Sequence, residues 1–97
     1  MKLPFNKQDK DFYQRRASLL KSVGDPNCLK ILNVLVKEDN PCVSDITKNL
    51  KIQISAVSHQ LSKLKALGIV ETERSGQTIC YRMAKGKDAE FVKSLLN

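Results

Sequence analysis

The sequence predicts a mainly α-helical domain with a β-hairpin, a winged helix-turn-helix with the element order ααααββα. Three observations lead to this fold. Apolar residues recur at helical spacing in four successive segments, and capping or glycine signals bound these segments. Two segments of alternating character follow, with a glycine in the turn between them, which is typical of a hairpin. A final short amphipathic segment closes the chain.

Boundary signals place the first three helices. The first is predicted from about Asp9 to Val23 and ends at Gly24, and Asp25-Pro26 then supplies an N-cap and a proline at the first helical position. Asn40-Pro41 repeats this signal before a short third helix. The residues expected to face inward are Leu29, Leu32 and Val36, with Ile31 and Leu35 beside them, in the second helix, and Val43, Ile46 and Leu50 in the third.

The fourth helix follows the linker Lys51-Ile52-Gln53 and is predicted to run to Leu67, where Gly68 ends it. Its buried stripe is predicted to be Val57, Leu61 and Leu64. Two strands, at about 69–74 and 77–83, are joined at Ser75-Gly76. In the second strand one face carries Ile79, Tyr81 and Met83, and the more polar face carries Thr78, Cys80 and Arg82. The last helix, 88–96, has apolar residues at Phe91, Val92, Leu95 and Leu96.

Length and composition indicate one soluble domain. Residues 9–97 are expected to form it behind a basic tail at residues 1–8, because 97 residues leave no room for a second domain. No apolar run is long enough to span a bilayer and the N-terminus lacks a signal-peptide core, which predicts a cytoplasmic protein with no membrane partner. Three cysteines without tight spacing predict reduced thiols rather than a disulfide framework.

The distribution of charge favours a polyanionic partner. The net charge is +7, and no acidic residue lies between Ile46 and Val70. The charged residues in that window are Lys48, Lys51, Lys63 and Lys65. A solvated helix face usually carries both signs, so a stretch of one sign predicts a surface that meets phosphates. The alternative is that the charge only keeps an ordinary helical bundle in solution.

The third and fourth helices together form a helix-turn-helix, which predicts double-stranded DNA as the partner. The fourth helix would lie in the major groove, and the hairpin would be a wing that reaches the backbone or the minor groove. His59, the only histidine, is predicted to contact DNA beside Ser55. No general base, nucleophile and orienting group converge, so an enzyme is not expected. The predicted DNA-binding residues are Ile54, Ser55, Ala56, Ser58, His59, Lys63, Lys65, Arg74 and Gln77.

The fourth helix and the hairpin resemble the ArsR/SmtB family of metal-responsive repressors. The residues that carry the resemblance are ISAVSHQLSKLKALGIV at 54–70 and GQTICYR at 76–82, and DPNCLKIL at 25–32 is similar to the family's second helix. The resemblance covers about residues 12–96. It implies a homodimer built from the first and last helices, a near-palindromic operator, and release of DNA when an inducer binds.

The resemblance fails at the family's C-terminal-helix zinc site. Lys85 and Lys87 stand where that site has its aspartate and histidine, and zinc requires deprotonated nitrogen, oxygen or sulfur ligands. We therefore expect no zinc at that site and no cofactor.

The family's other site, a Cys-Val-Cys-Asp motif, corresponds to Cys42-Val43-Ser44-Asp45 and is at most a partial site for soft metals, which prefer two or three thiolates. Cys42 is either a reactive sensor of metalloids or reactive sulfur, or a small apolar residue packed under its helix. Cys28 is the second sensor candidate, although core packing explains it better, and Cys80 is expected to be a half-exposed wing residue.

Two further expectations complete the interpretation. The terminal helices carry more apolar surface than a monomer of this size needs, which predicts a two-fold homodimer. Its interface residues are predicted to be Phe12, Leu19, Leu20, Phe91, Val92, Leu95 and Leu96. The leading hypothesis is an operator-binding repressor released by a thiol-reactive or thiophilic inducer. The alternatives are a repressor without a small-molecule sensor and a winged-helix module that binds proteins.

Overall fold

In the computed structural model, residues 7–96 are described, and within them lie five helices and one two-stranded sheet. The elements are α1 (Lys7–Val23), α2 (Pro26–Lys37), α3 (Val43–Leu50), α4 (Ile54–Ala66), β1 (Val70–Ser75), β2 (Thr78–Met83) and α5 (Lys87–Ser94). The predicted winged helix-turn-helix and its element order are confirmed. The first helix begins at Lys7, inside the predicted tail, and the first six residues of that tail lie outside the described part.

The core lies where the five helices and the start of the wing meet, and α3 contributes the fully buried Ile46. In α4 the predicted stripe is confirmed, because Val57, Leu61 and Leu64 are fully buried. In α2 the prediction is right for Leu32 and for the flanking Ile31 and Leu35, which are buried, but wrong for the two ends of the stripe, since Val36 is exposed and Leu29 is half-buried. The helix is rotated so that its buried face is Cys28, Ile31, Leu32, Val34 and Leu35.

The two cap-plus-proline signals have different outcomes. Asp25 is the N-cap of α2, and its Oδ2 accepts a hydrogen bond of 3.1 Å from the Cys28 backbone N–H, so this prediction is confirmed. The prediction at Asn40-Pro41 was wrong by two residues. Helix α3 starts at Val43 behind Cys42, and the Asp45 carboxylate accepts a hydrogen bond of 3.0 Å from the Cys42 N–H.

A glycine turn joins α4 to the wing. Gly68 adopts a left-handed conformation (φ 78°), and the N–H groups of Gly68 and Ile69 donate to the carbonyls of Lys65 and Leu64, each at 3.0 Å. This is the Schellman arrangement, which satisfies the last carbonyls of a helix and favours glycine. Because Ile69 is also fully buried, the direction in which the wing leaves α4 is fixed.

Strands β1 and β2 form an antiparallel hairpin in which Val70 pairs with Met83 and Ser75 with Thr78. The two turn residues are therefore Gly76 and Gln77, one residue later than predicted. Beyond the hairpin, Tyr81 donates its N–H to the Pro41 carbonyl at 2.9 Å, and Cys80 forms an isolated bridge with Cys42. The segment before α3 thus lies against β2.

Among residues 7–96, no helix has both the length and the apolar character needed to cross a membrane.

Candidate nucleic-acid interface

Helix α4 has one buried side and one solvent-facing side. We call the solvent-facing side the outer face of α4, and it consists of Ile54, Ser55, Ser58, His59, Ser62 and Lys65, all of which are exposed. Ala56, also predicted to contact DNA, is half-buried at the edge of this face. The outer face is uncharged over its first turns, carries a lysine near its end and contains no acid. It can therefore approach a phosphate backbone without like-charge repulsion.

Lys63 has a different position from the other predicted DNA contacts. Its ammonium donates a hydrogen bond of 2.7 Å to the backbone carbonyl of Ser22 near the end of α1, and the residue is half-buried. Nearby, the Gln60 side-chain amide lies 3.5 Å from the Asp25 carboxylate. These contacts attach α4 to the corner between α1 and α2.

The wing presents its own polar groups. Arg74 and Gln77, the predicted contacts here, are exposed at and beside its tip. Lower on the wing, Arg82 forms ion pairs with Glu71 at 3.1 Å and with Glu73 at 3.0 Å. Because the single charge of Arg82 offsets one of the two carboxylates, this cluster opposes a phosphate backbone less than two unpaired acids would.

Two of the three cysteines are paired, which overturns the expectation of reduced thiols. Cys42 and Cys80 are joined by a disulfide, and their Cα atoms lie 3.8 Å apart. Cys80 is buried rather than half-exposed, because its side of β2 packs against the start of α3. The sequence contained one indication that Cys80 is buried, because Cys80 is an apolar residue between the polar Thr78 and Arg82 on the same face of the strand. A covalent bond thus connects the helix-turn-helix to the wing.

Cys28, the other sensor candidate, is a free thiol in the core with no exposed surface. Burial raises the pKa of the Cys28 thiol, the nearby Asp25 raises it further, and the Lys63 ammonium opposes the shift. A buried thiol with a raised pKa is a poor nucleophile and a poor metal ligand. The structure therefore favours the core-packing interpretation of Cys28.

We expect Cys28 to resist alkylation by iodoacetamide at pH 8 in the folded protein and to react once the protein is denatured. Its raised pKa also means that its contribution to stability is fully present below the unfolded value near 9.0 and is lost as the pH rises further. Mass spectrometry of tryptic peptides measures the modification. Rapid labelling of Cys28 in native buffer, with the disulfide intact, would contradict its burial.

The predicted interface residues divide into three groups by burial. Leu19 and Val92 are fully buried in the protomer, so their assignment to an interface was wrong. Phe91 and Leu96 are half-buried against the core, whereas Phe12, Leu20 and Leu95 remain exposed. Tyr13, which the sequence analysis did not select, is 54% exposed beside Phe12, with ring centroids 5.3 Å apart.

The terminal helices are also tied to each other and to α4. Arg15 in α1 forms an ion pair of 3.0 Å with Asp88 in α5, and its Nη2 donates a hydrogen bond of 2.9 Å to the Leu67 carbonyl at the end of α4. The Arg16 guanidinium stacks on the Phe91 ring, 3.9 Å from its centroid. These contacts hold α1 and α5 side by side.

The side chains at the positions of the ArsR/SmtB C-terminal-helix zinc site cannot bind zinc. Lys85 and Lys87 are exposed lysines, and an ammonium group has no lone pair to donate to zinc. Across residues 7–96, no three histidine, cysteine or acidic side chains come together as metal ligands.

Comparison with known proteins identifies the fold and the lineage. The family model "Bacterial regulatory protein, arsR family" matches residues 25–72, the segment from α2 into β1. The uncharacterized HTH-type transcriptional regulator MJ1325 of Methanocaldococcus jannaschii is 33% identical over 81 residues, which cover 84% of this chain and 91% of that protein. The chain belongs to the ArsR family.

Two further relatives give this ArsR-family chain its context. The cadmium resistance transcriptional regulatory protein CadC of Listeria innocua is 37% identical over 65 residues, and the match spans 67% of this chain but only 55% of CadC. The crystal structure of the transcriptional repressor BigR from Xylella fastidiosa superposes with a TM-score of 0.82 at 31% identity, covering 93% of this chain and 89% of that one. These relatives are named as regulators of transcription, not as enzymes.

Proposed function

We propose that this ArsR-family chain is a sequence-specific DNA-binding repressor whose α4 enters the major groove of an operator. The observation that carries the proposal is the outer face of α4, which is exposed, free of acids and followed at once by a wing with Arg74 exposed near its tip. Side chains at the start of a recognition helix read base edges, and wing cations bind the backbone. The names of CadC and BigR support a role in transcription.

A binding titration in 0.15 M salt tests this proposal. The probe is a duplex recovered by repeated selection from a random pool, and its shuffled version is the control. We expect the selected duplex to bind about a thousandfold or more tightly than the control, the lower range for specific binding. Equal affinity for both duplexes would overturn sequence-specific binding. Failure to bind either one would favour the alternative of a protein-interaction module.

We also propose that the chain acts as a two-fold homodimer sealed by α1 and α5. Phe12, Tyr13, Leu20 and Leu95 are exposed on these two helices, which Arg15 and Asp88 hold together. A set of exposed apolar side chains on one surface is typical of an interface. A symmetric dimer would present two copies of α4 to the two halves of a near-palindromic operator.

Sedimentation at micromolar concentration is expected to give twice the 10.9 kDa mass of the chain. Leu20→Glu should shift the protein to monomer, because it places a charge at the apolar surface of α1 while the side chain is 46% exposed and not needed for the core. Val36→Glu is the matched control, since Val36 is an exposed apolar residue on α2. A wild-type monomer, or equal loss of the dimer in both variants, would contradict this interface.

We propose finally that DNA release responds to thiol chemistry at Cys42 and Cys80. The oxidised form carries the disulfide, and its formation from two thiols gives up two protons and two electrons to an oxidant, such as hydrogen peroxide, which is reduced to two water molecules. The bond joins the segment before α3 to β2, so it links the helix-turn-helix to the wing. Soft metals or metalloids would instead compete for the same two thiolates. If neither oxidation nor arsenite nor cadmium changes the affinity for the operator, the result favours the alternative of a repressor without a small-molecule sensor.

A further inference from the structure

The most exposed large apolar side chain in the described part of the chain is Ile54, with 60% of its surface accessible. It is the first residue of α4, the helix proposed to enter the major groove. The exposed apolar residues of α1 and α5 would be buried in the proposed dimer interface. Ile54 belongs to neither helix, so that surface does not explain its exposure.

Folding does not require an isoleucine at this position. The preceding apolar residue, Ile52, packs against the core, and Val57 in the first turns of α4 is fully buried. Ile52 and Val57 occupy the positions before the N-cap and at the fourth helical residue, where a hydrophobic staple fixes the entry of the chain into a helix. The local structure of α4 is therefore complete without the Ile54 side chain.

The neighbours of Ile54 limit what it can contact. Ser55, Ser58 and His59 on the same exposed face have polar side chains, which can form hydrogen bonds to base edges. Ile54 offers no hydrogen bond, and its branched aliphatic side chain suits only an apolar group. The one apolar group that the major groove presents is the C5-methyl of thymine.

We propose that Ile54 is a specificity-determining residue that recognises a thymine methyl group in each half of the operator. This inference rests on the proposed function, in which α4 lies in the major groove. It adds a prediction about base identity that the net charge and the polar residues of α4 do not make. Burial of the methyl against Ile54 favours thymine over cytosine and over uracil, which lacks the methyl group.

The test replaces each thymine of the selected duplex, one position at a time in both half-sites, with deoxyuridine. This removes the methyl group and leaves the hydrogen-bonding groups of the base unchanged. Wild-type protein is expected to lose about fourfold in affinity per half-site at one symmetric position, the factor that burial of one methyl group gives. Ile54→Ala should bind the thymine and deoxyuridine duplexes equally at that position.

Ile79→Ala is the matched control, because Ile79 is also exposed (39%) and apolar but lies on the wing. It should keep the wild-type loss at the same deoxyuridine position. Thermal melting of Ile54→Ala should match that of the wild type, because the removed side chain is exposed. Tight wild-type binding with no deoxyuridine-sensitive position, or an unchanged sensitivity in Ile54→Ala, would overturn the inference while the proposed function stands. Loss of selective binding altogether would instead overturn the proposed function.

Discussion

Replacing either Cys42 or Cys80 by serine is expected to leave operator binding intact and to abolish its response to oxidation. Wild-type protein should bind the selected duplex more weakly after peroxide treatment than in dithiothreitol, by roughly 5- to 150-fold, the range of typical coupling between two sites. The reason is that α4 and the wing engage DNA together in the proposed mode of binding, and the disulfide fixes the wing strand to the segment before α3. Affinities measured by fluorescence anisotropy under both conditions give the ratio.

Cys28→Ala serves as the control, because it removes the remaining cysteine and leaves the pair untouched. It should retain the wild-type ratio between oxidised and reduced protein. A wild-type-like response in Cys42→Ser would show that the sensor lies elsewhere. Zinc should not replace the oxidant, since the residues corresponding to the family's zinc ligands include Lys85 and Lys87. Release by zinc of a variant without cysteines would contradict the whole assignment.

His59→Ala should weaken binding to the selected duplex by about 1–3 kcal/mol and relax the base preference at one position in each half-site. His59 is exposed in the middle of the outer face of α4, where a side chain can reach a base edge, and nothing in the core depends on it. The measurement is a competition titration against duplexes that carry each single-base change. An unchanged affinity for the selected duplex would mean that α4 does not lie in the groove as proposed.

Arg74→Ala gives the matching comparison for the backbone. Because Arg74 is exposed near the tip of the wing, its loss should weaken binding to selected and shuffled duplexes alike. It should also lower the slope of log affinity against log salt by about one unit for each phosphate contact that is lost. A change in base preference with an unchanged salt slope would assign Arg74 to the bases instead.

Features that depend on neighbouring residues were predictable from the sequence. The Asp25 cap of α2 needs only the backbone N–H of Cys28, and the end of α4 at Gly68 needs only the carbonyls of the last turn. The buried stripe of α4 was equally local, because a helix with three regularly spaced apolar residues has one side to bury. These elements sufficed to predict the fold class and to select the outer face of α4.

Contacts between distant segments were not predictable in the same way. The Cys42–Cys80 pair joins residues 38 positions apart, and its formation depends on how β2 packs against the start of α3. Leu19 and Val92 were assigned to the interface because periodicity identifies an apolar face without showing whether the protomer or a partner covers it. The rotation of α2, which exposes Val36, likewise follows from packing against several elements at once.

The attachment of α4 to the helices of the proposed interface has a consequence for operator geometry. Lys63 binds the carbonyl near the end of α1, and Arg15 holds the carbonyl at the end of α4. In a symmetric dimer, these links would fix both the distance between the two copies of α4 and their rotation about the DNA axis relative to each other. One base pair inserted between the half-sites turns one half-site by about a tenth of a revolution relative to the other. Side-chain movements alone cannot compensate for that rotation. We therefore expect the dimer not to bind such an operator specifically, even when the sequences of both half-sites are unchanged.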